Sequence, residues 1–282
     1  MRNFLWALSL CCGLPALAQV TVEVQFDQEQ FLRSESLPVR VRIENLSGRT
    51  LHLGGDPNWI TFTVEGREGN ILSKTGGLPV AKPFDLEASK IATLRADLMP
   101  TFNLSDPGHY TVSVAANVPE LEKQIKTEPK GFDIIAGTKL WEKEIGVPAS
   151  TPPETRKYAL QQATFLKQLR LYVRLTDASE SRVFRVLPLG MLLSFTTPEA
   201  QVDRSSNLHV LFQDRARSFL YCVIAPDGEL IVRQTWDYAA TRPRLRPEQD
   251  GRVMVSGGQR RILLSDLPPP RVADTNDARG PK

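Results

Sequence analysis

An arginine- and aromatic-rich segment near the end of the chain is the part of the sequence best suited to bind a partner. It contains Trp236, Tyr238, Arg242, Arg244 and Arg246. Alternate residues of an extended strand share one side, so the three arginines are expected to face the same way. Arginine beside aromatic residues is typical of binding hot spots and of surfaces that hold carboxylates or sugars. The segment fits equally well an edge strand that its charges and a proline protect from pairing.

No pattern of catalytic residues occurs in the sequence. The serine-hydrolase pattern Gly-x-Ser-x-Gly, the zinc-protease pattern His-Glu-x-x-His and a phosphate-binding glycine loop are all absent. Three histidines in 282 residues leave few general bases for neutral pH. Carboxylate pairs that hydrolyse glycosides form in space rather than in sequence, so a glycan-acting hydrolase stays an alternative. The sequence therefore predicts a protein that is not an enzyme and has no catalytic residues and no cofactor.

Metal, thiol and nucleic-acid sites are not predicted either. His52 and His109 lack the paired spacing of metal ligands. Cys222 stands among apolar residues, which predicts an inert core thiol. Residues 19–137 carry 12 basic against 16 acidic side chains, whereas residues 138–282 carry 22 against 16. The basic residues of the second half are scattered rather than clustered, so no nucleic-acid partner is expected.

Residues 1–18 have the pattern of a secretory signal peptide. A basic start at Arg2 precedes an apolar run that ends at Leu17, and Ala16 and Ala18 provide the small residues that a signal peptidase requires. The apolar run is too short to span a bilayer permanently. We therefore expect cleavage after Ala18, a secreted or periplasmic mature chain and no membrane span.

Residues 19–137 have the pattern of a β-sandwich. About seven short segments alternate apolar and polar residues, and turn residues separate them. The motif Asp106-x-Gly108-x-Tyr110 resembles the entry to strand F of bacterial immunoglobulin-like domains. That resemblance implies a tyrosine corner, in which the Tyr110 hydroxyl bonds to nearby backbone. Val112 occupies the position of the family's cysteine, so the inter-sheet disulfide is absent.

The second half is predicted to contain an internal repeat. A proline-rich linker is expected over residues 138–153, and residues 154–169 fit a helix or a strand, with a strand preferred. Within the predicted domain 154–267, residues 171–177 are similar to residues 208–214, and Pro188-x-Gly190 is similar to Pro226-x-Gly228. The resulting period of about 37 residues resembles β-propeller blades, although a small duplicated sandwich is preferred. Gly190 and Gly228 are expected at equivalent turns with positive φ. Residues 268–282 are predicted to be a disordered tail.

The sequence thus predicts an all-β fold: an immunoglobulin-like β-sandwich followed by a second β domain built on a duplicated three-stranded meander. The predicted function is an exported, non-catalytic protein that binds a protein or glycan partner at the cell envelope or outside the cell. A secreted protease inhibitor is an alternative, because prolines in residues 76–83 would stiffen a protruding loop. The sequence does not determine the oligomeric state.

Overall fold

The computed structural model describes residues 20–76, 82–148 and 150–268, which are almost entirely β structure. The strands, in chain order, are β1 Val20–Phe26, β2 Gln30–Leu32, β3 Pro38–Asn45, β4 Leu51–Leu53, β5 Ile60–Glu65, β6 Phe84–Leu86, β7 Ile91–Asp97, β8 Gly108–Val118, β9 Lys123–Lys126, β10 Lys130–Ile135, β11 Thr138–Gly146, β12 Thr155–Phe165, β13 Gln168–Asp177, β14 Val183–Met191, β15 Glu199–Val202, β16 Leu208–Arg215, β17 Ser218–Ile224, β18 Leu230–Asp237, β19 Arg244–Pro247, β20 Val253–Ser256 and β21 Gln259–Arg261. Short 3₁₀ turns occupy Arg67–Gly69 and Pro119–Leu121. The predicted signal peptide, most of the candidate inhibitor loop and the predicted tail beyond residue 268 lie outside the described residues.

The first sandwich, β1 to β10, consists of two main sheets around one core. One sheet has the order β1-β3-β7, and the other has the order β2-β10-β8-β5 with β9 added to β8. β8 buries every second side chain from Tyr110 to Val118 because one face of its sheet meets the core. The alternation in the sequence therefore predicted this half correctly as sandwich-like β structure.

The hydrogen bond expected of Tyr110 is present. Its hydroxyl donates to the Asp106 carbonyl oxygen at 2.7 Å. The ring stacks on Phe132, with centroids 5.7 Å apart. Gly108, which begins β8, lies between Asp106 and Tyr110 in the chain. The motif thus fastens the loop before β8 to the strand itself.

The second sandwich, β11 to β18 with β21, also has two sheets. Their orders are β11-β12-β13-β14 and β15-β16-β17-β18-β21. Tyr158 and Val173 of the first sheet and Phe212 and Cys222 of the second belong to the core between them. The strand preferred for residues 154–169 is confirmed by β12. The predicted linker over residues 138–153 is wrong in its first part, because β11 pairs with β12 from Thr138 to Gly146, with a bulge at Leu140.

The predicted repeat aligns strands that do not correspond in the structure. β13 is third in its sheet and β16 is second, so the 37-residue alignment matches strands that are not equivalent in position. The strands that do correspond by sheet position are β12 with β16 and β13 with β17. Gly190 and Gly228 both have positive φ, at +148° and +87°. Gly228 lies in the turn before β18, whereas Gly190 lies inside β14 opposite Leu171, so the predicted equivalence of the two turns is wrong.

Additional layers cover the outer faces of the second sandwich. The β19–β20 hairpin places Leu245 and Val253 against Phe219 and Tyr221 of β17. On the opposite side, Tyr172 and Val186 join Leu32 of the first sandwich in a small apolar contact. Because the hairpin covers one face of β17 and the core between the two sheets covers the other, β17 is buried at all seven positions. Among the described residues, no helix is long and apolar enough to cross a membrane.

Candidate functional site

A groove of about 880 Å³ lies between the two sandwiches. The first sandwich contributes residues between 27 and 38 and residues between 99 and 105, and the second contributes residues 183–188 of β14. Phe31, Phe102 and Leu104 supply buried apolar side chains to its wall. The volume lies within the range of about 300–1,000 Å³ that is usual for ligand sites.

β14 gives the groove a free strand edge. Within the described residues, β14 pairs with β13 only, so its other edge remains open. An antiparallel edge strand presents unpaired backbone N–H and C=O groups at alternate residues. Pro188 has no N–H to offer, so one donor is missing from this edge. An extended peptide could use the remaining groups.

A buried carboxyl group, Glu35, lies in the wall of the groove. Glu35 is only 4% exposed, and its carboxylate accepts hydrogen bonds from the Leu32 N–H at 2.6 Å and from Gln28 Nε2 at 3.2 Å. Burial raises the pKa of Glu35, although these hydrogen bonds and the charge of Arg170 oppose the shift. The groove therefore has a carboxyl group that is more easily protonated than usual.

Polar groups from both sandwiches meet beside Glu35. Arg170 Nη1 donates to Gln28 Oε1 at 3.0 Å, and the Arg170 guanidinium lies 3.7 Å from the Phe165 ring centroid. The Tyr172 hydroxyl is buried and has no hydrogen-bond partner among the described residues. Burial, assisted by the charge of Glu35, raises the pKa of Tyr172 to about 12. This cluster has a carboxyl, an amide, a phenol and a guanidinium, which suit the binding and orientation of a ligand.

The five residues predicted as a binding surface do not lie together on one exposed face. Trp236 packs with the apolar cluster beneath the β19–β20 hairpin, and its Nε1 is buried without a partner among the described residues. The Arg242 guanidinium lies 5.1 Å from the Phe219 ring centroid, and its Nε is also buried. Tyr238, Arg244 and Arg246 are exposed. The expected alternation does not include Arg242, because β19 begins only at Arg244.

Arg244 has a structural contact of its own. Its Nη1 donates to Glu199 Oε1 at 3.0 Å, and Glu199 Oε2 accepts the Leu245 N–H at 2.8 Å. One carboxylate thus holds β19 against the start of β15. This arrangement agrees with an edge strand fastened by charge more closely than with an open binding surface.

A buried polar network surrounds His209, and no local sequence pattern indicates it. His209 Nδ1 lies 2.7 Å from the Tyr221 hydroxyl, and His209 Nε2 lies 3.1 Å from Asp203 Oδ2. Asp203 also accepts hydrogen bonds from the Ser205 and Asn207 N–H groups. Burial favours the neutral Asp203 carboxyl, but the bonds from Asn207 and His209 outweigh it and lower the pKa of Asp203. His209 and Tyr221 are 7% and 8% exposed, so the network supports the fold and does not face a substrate.

The remaining titratable side chains of the described residues are not grouped as a metal site. Among residues 20–76, 82–148 and 150–268, no three or more His, Cys, Asp or Glu side chains are grouped to hold an ion. Cys222 is fully buried, and burial raises the pKa of its thiol to about 12. A neutral thiol enclosed in this way is a poor nucleophile.

Comparisons with known proteins do not identify the chain. No protein-family model matches it, and no curated protein matches it. One solved structure that is similar is Spo0M, a sporulation control protein from Bacillus subtilis, with a TM-score of 0.28 and 6% sequence identity. That match covers 76% of this chain and 80% of the Spo0M chain. Similarity at this level supports no conclusion about fold or function.

Proposed function

We propose that the chain is an exported, non-catalytic binding protein that holds an extended segment of a protein partner between its two sandwiches. The observation that carries this proposal is the groove of about 880 Å³ bordered by the open edge of β14. A peptide can pair its backbone with a free strand edge while its alternate side chains enter apolar pockets. The groove and the strand edge together supply both kinds of contact.

The lining favours a peptide over a glycan. Sugars are bound on free aromatic faces, and Phe184 is the aromatic residue that β14 brings to the groove. The guanidinium groups of Arg156 and Arg182 already lie 4.3 and 4.8 Å from its ring centroid. The unpaired backbone of β14, by contrast, has hydrogen-bonding groups that a peptide backbone matches.

Two further features support the proposed class of protein. The sheet orders β1-β3-β7 and β2-β10-β8-β5, together with the Tyr110 hydrogen bond, agree with an immunoglobulin-like first domain. The sequence pattern of residues 1–18 supports export with cleavage after Ala18. N-terminal sequencing of exported protein should give Gln19 as the first residue, and a retained leader would contradict export by this route.

The groove can be tested with a displayed library of random peptides. Selection on the wild-type protein should enrich peptides whose affinity falls at least about tenfold in Asn103→Trp, because the new indole fills an exposed position of the groove wall. Lys123→Trp places the same side chain at an exposed position of β9 outside the groove and should leave the affinity unchanged.

Hydrogen exchange on the same complex locates the contact. A bound peptide should slow amide exchange in β14 and leave β18 unchanged. The proposal is wrong if no peptide is enriched, if the selected peptides bind Asn103→Trp normally, or if the protection does not include β14.

A further inference from the structure

One end of the second sandwich displays an aromatic side chain in an unfavourable backbone conformation. Phe195 lies between β14 and β15, is fully exposed, and has a φ of +64°. The Thr196 N–H and hydroxyl both donate to the Leu193 carbonyl oxygen, at 3.3 and 2.6 Å, and close the turn around Phe195. Bulky residues seldom adopt positive φ, and such positions concentrate at functional sites. The turn thus holds a large apolar ring in solvent at a conformational cost.

Neighbouring loops bring more apolar and basic side chains to the same end. The Leu193 N–H donates to the Gln213 carbonyl oxygen at 2.8 Å, which places the Phe195 turn beside the β16–β17 turn. Arg215 is the last residue of β16, and Arg217 lies in the turn that follows it. The Tyr238 N–H donates to the Arg217 carbonyl oxygen at 2.8 Å. We call the exposed set the tip surface, and it consists of Leu193, Phe195, Arg215, Arg217 and Tyr238.

Among the described residues, the two arginines of the tip surface have one close acidic partner between them, Asp214. The Arg215 side chain is 80% exposed, and the carboxylate beside it, Asp214 Oδ2, is 3.9 Å from Arg215 Nε and largely buried. Among the described residues, Arg217 forms no ion pair, and its guanidinium lies 5.7 Å from the Tyr238 ring centroid. The tip surface therefore combines apolar side chains with available positive charge.

We infer that the tip surface binds the surface of a bilayer that contains anionic lipids. Exposed aromatic and aliphatic side chains enter the boundary between headgroups and acyl chains, and adjacent arginines attract anionic headgroups. A stable protein interface needs about 800 Å² from each partner, whereas these five side chains project from two turns and a strand end. The surface is separate from the groove, so this inference does not depend on the proposed function.

Vesicle cosedimentation tests the inference on the full-length mature protein. We expect the wild-type protein to bind vesicles of phosphatidylglycerol and phosphatidylcholine and to bind pure phosphatidylcholine far more weakly. Phe195→Gly should reduce binding at least about tenfold, since burying an aromatic ring contributes most of the apolar attraction. Each of Arg215→Ser and Arg217→Ser should reduce binding to the anionic vesicles about fivefold.

Replacing Phe195 by glycine separates an effect on vesicle binding from an effect on folding. Glycine adopts positive φ readily, so Phe195→Gly should melt no earlier than the wild-type protein. Leu264→Ser is the matched control, because Leu264 is 97% exposed after β21 and outside the tip surface. It should bind vesicles normally.

Three results would overturn the inference. The first is that the wild-type protein does not bind anionic vesicles. The second is that Phe195→Gly binds them as tightly as the wild-type protein. The third is that Phe195→Gly changes a dimer into a monomer in sedimentation while vesicle binding is absent, which would assign the surface to a second copy of the chain.

Discussion

The two sandwiches bury their central strands in different ways. In the first, β8 alternates buried and partly exposed residues because its sheet has the core on one side only. In the second, the sheet that contains β17 has an apolar cluster on each side, and β17 is buried throughout. The number of covering layers therefore decides whether a strand shows period-two alternation.

The same difference changes how buried polar groups are stabilised. In the first sandwich, the Tyr110 hydroxyl bonds to the carbonyl oxygen of Asp106 in a nearby loop. In the second, the hairpin packs on Tyr221, whose hydroxyl lies 2.7 Å from His209 Nδ1, and the other ring nitrogen of His209 contacts Asp203. Buried polar side chains are usually paired within the protein, as His209 and Tyr221 are, whereas Trp236 Nε1 beneath the same hairpin has no partner among the described residues.

The largest expected effect comes from emptying the core of the second sandwich. Phe212 is 1% exposed between its two sheets, so Phe212→Ala should lower the free energy of unfolding by about 3–5 kcal/mol. Urea denaturation followed by hydrogen exchange should show early loss of protection in β17 while β8 keeps its stability.

Phe132→Ala makes an equal truncation in the first core and is the matched control. It should reverse the pattern, with β8 losing protection first. Loss of β8 and β17 at one urea concentration in both variants would show that the two sandwiches unfold as a single unit.

The contrast between the sandwiches also explains what the sequence predicted. Alternation identified the strands of the first sandwich, and the resemblance carried by Asp106-x-Gly108-x-Tyr110 indicated the hydrogen bond of Tyr110. β17, by comparison, is a continuous apolar run, and such a run contains no information about which neighbour it faces. The similarity of residues 171–177 to 208–214 therefore matched β13 with β16, although β13 and β17 occupy the same sheet position.

Pro188 shows a second reason why the predicted repeat matched the wrong strands. Proline and glycine together usually indicate a turn, yet an edge strand also tolerates proline because one side needs no backbone donor. β14 is such an edge strand, so Pro188 and Gly190 lie within it.

The groove was not predictable from the sequence. Three segments distant in sequence form its walls, and no local pattern connects Phe31, Phe102 and Val186.

A smaller effect is expected from removing one tyrosine hydroxyl in each sandwich. Tyr110→Phe should lower the free energy of unfolding by about 0.5–1.5 kcal/mol and affect β8 alone. Tyr158→Phe removes longer hydrogen bonds, of 3.2 Å to the Ile224 carbonyl oxygen and 3.3 Å to that of Ser206, and should affect β12 and β17 but not β8. Hydrogen exchange of the two variants measures both. An effect of Tyr110→Phe on β17 would contradict the separation of the two cores.

The smallest expected effect is on the pH dependence of stability, where Glu35 and Asp203 act with opposite sign. Burial raises the pKa of Glu35 above its ordinary value of 4.5, so folding favours the protonated carboxyl. Stability should therefore decrease as the pH rises from 4.5 through the raised pKa of the folded state. The pKa of Asp203 is below its ordinary value of 3.8 because hydrogen bonds outweigh burial, so its contribution is present above pH 3.8 and is lost in stronger acid.

Two variants separate these contributions while keeping an oxygen acceptor at each position. Glu35→Gln should remove the loss of stability above pH 4.5, and Asp203→Asn should remove part of the loss below pH 3.8. Urea unfolding of both variants and the wild-type protein across the acid range measures the two slopes. If both variants change the same slope, then the carboxyl in the groove wall and the carboxyl bonded to His209 do not differ as their burial and hydrogen bonding require.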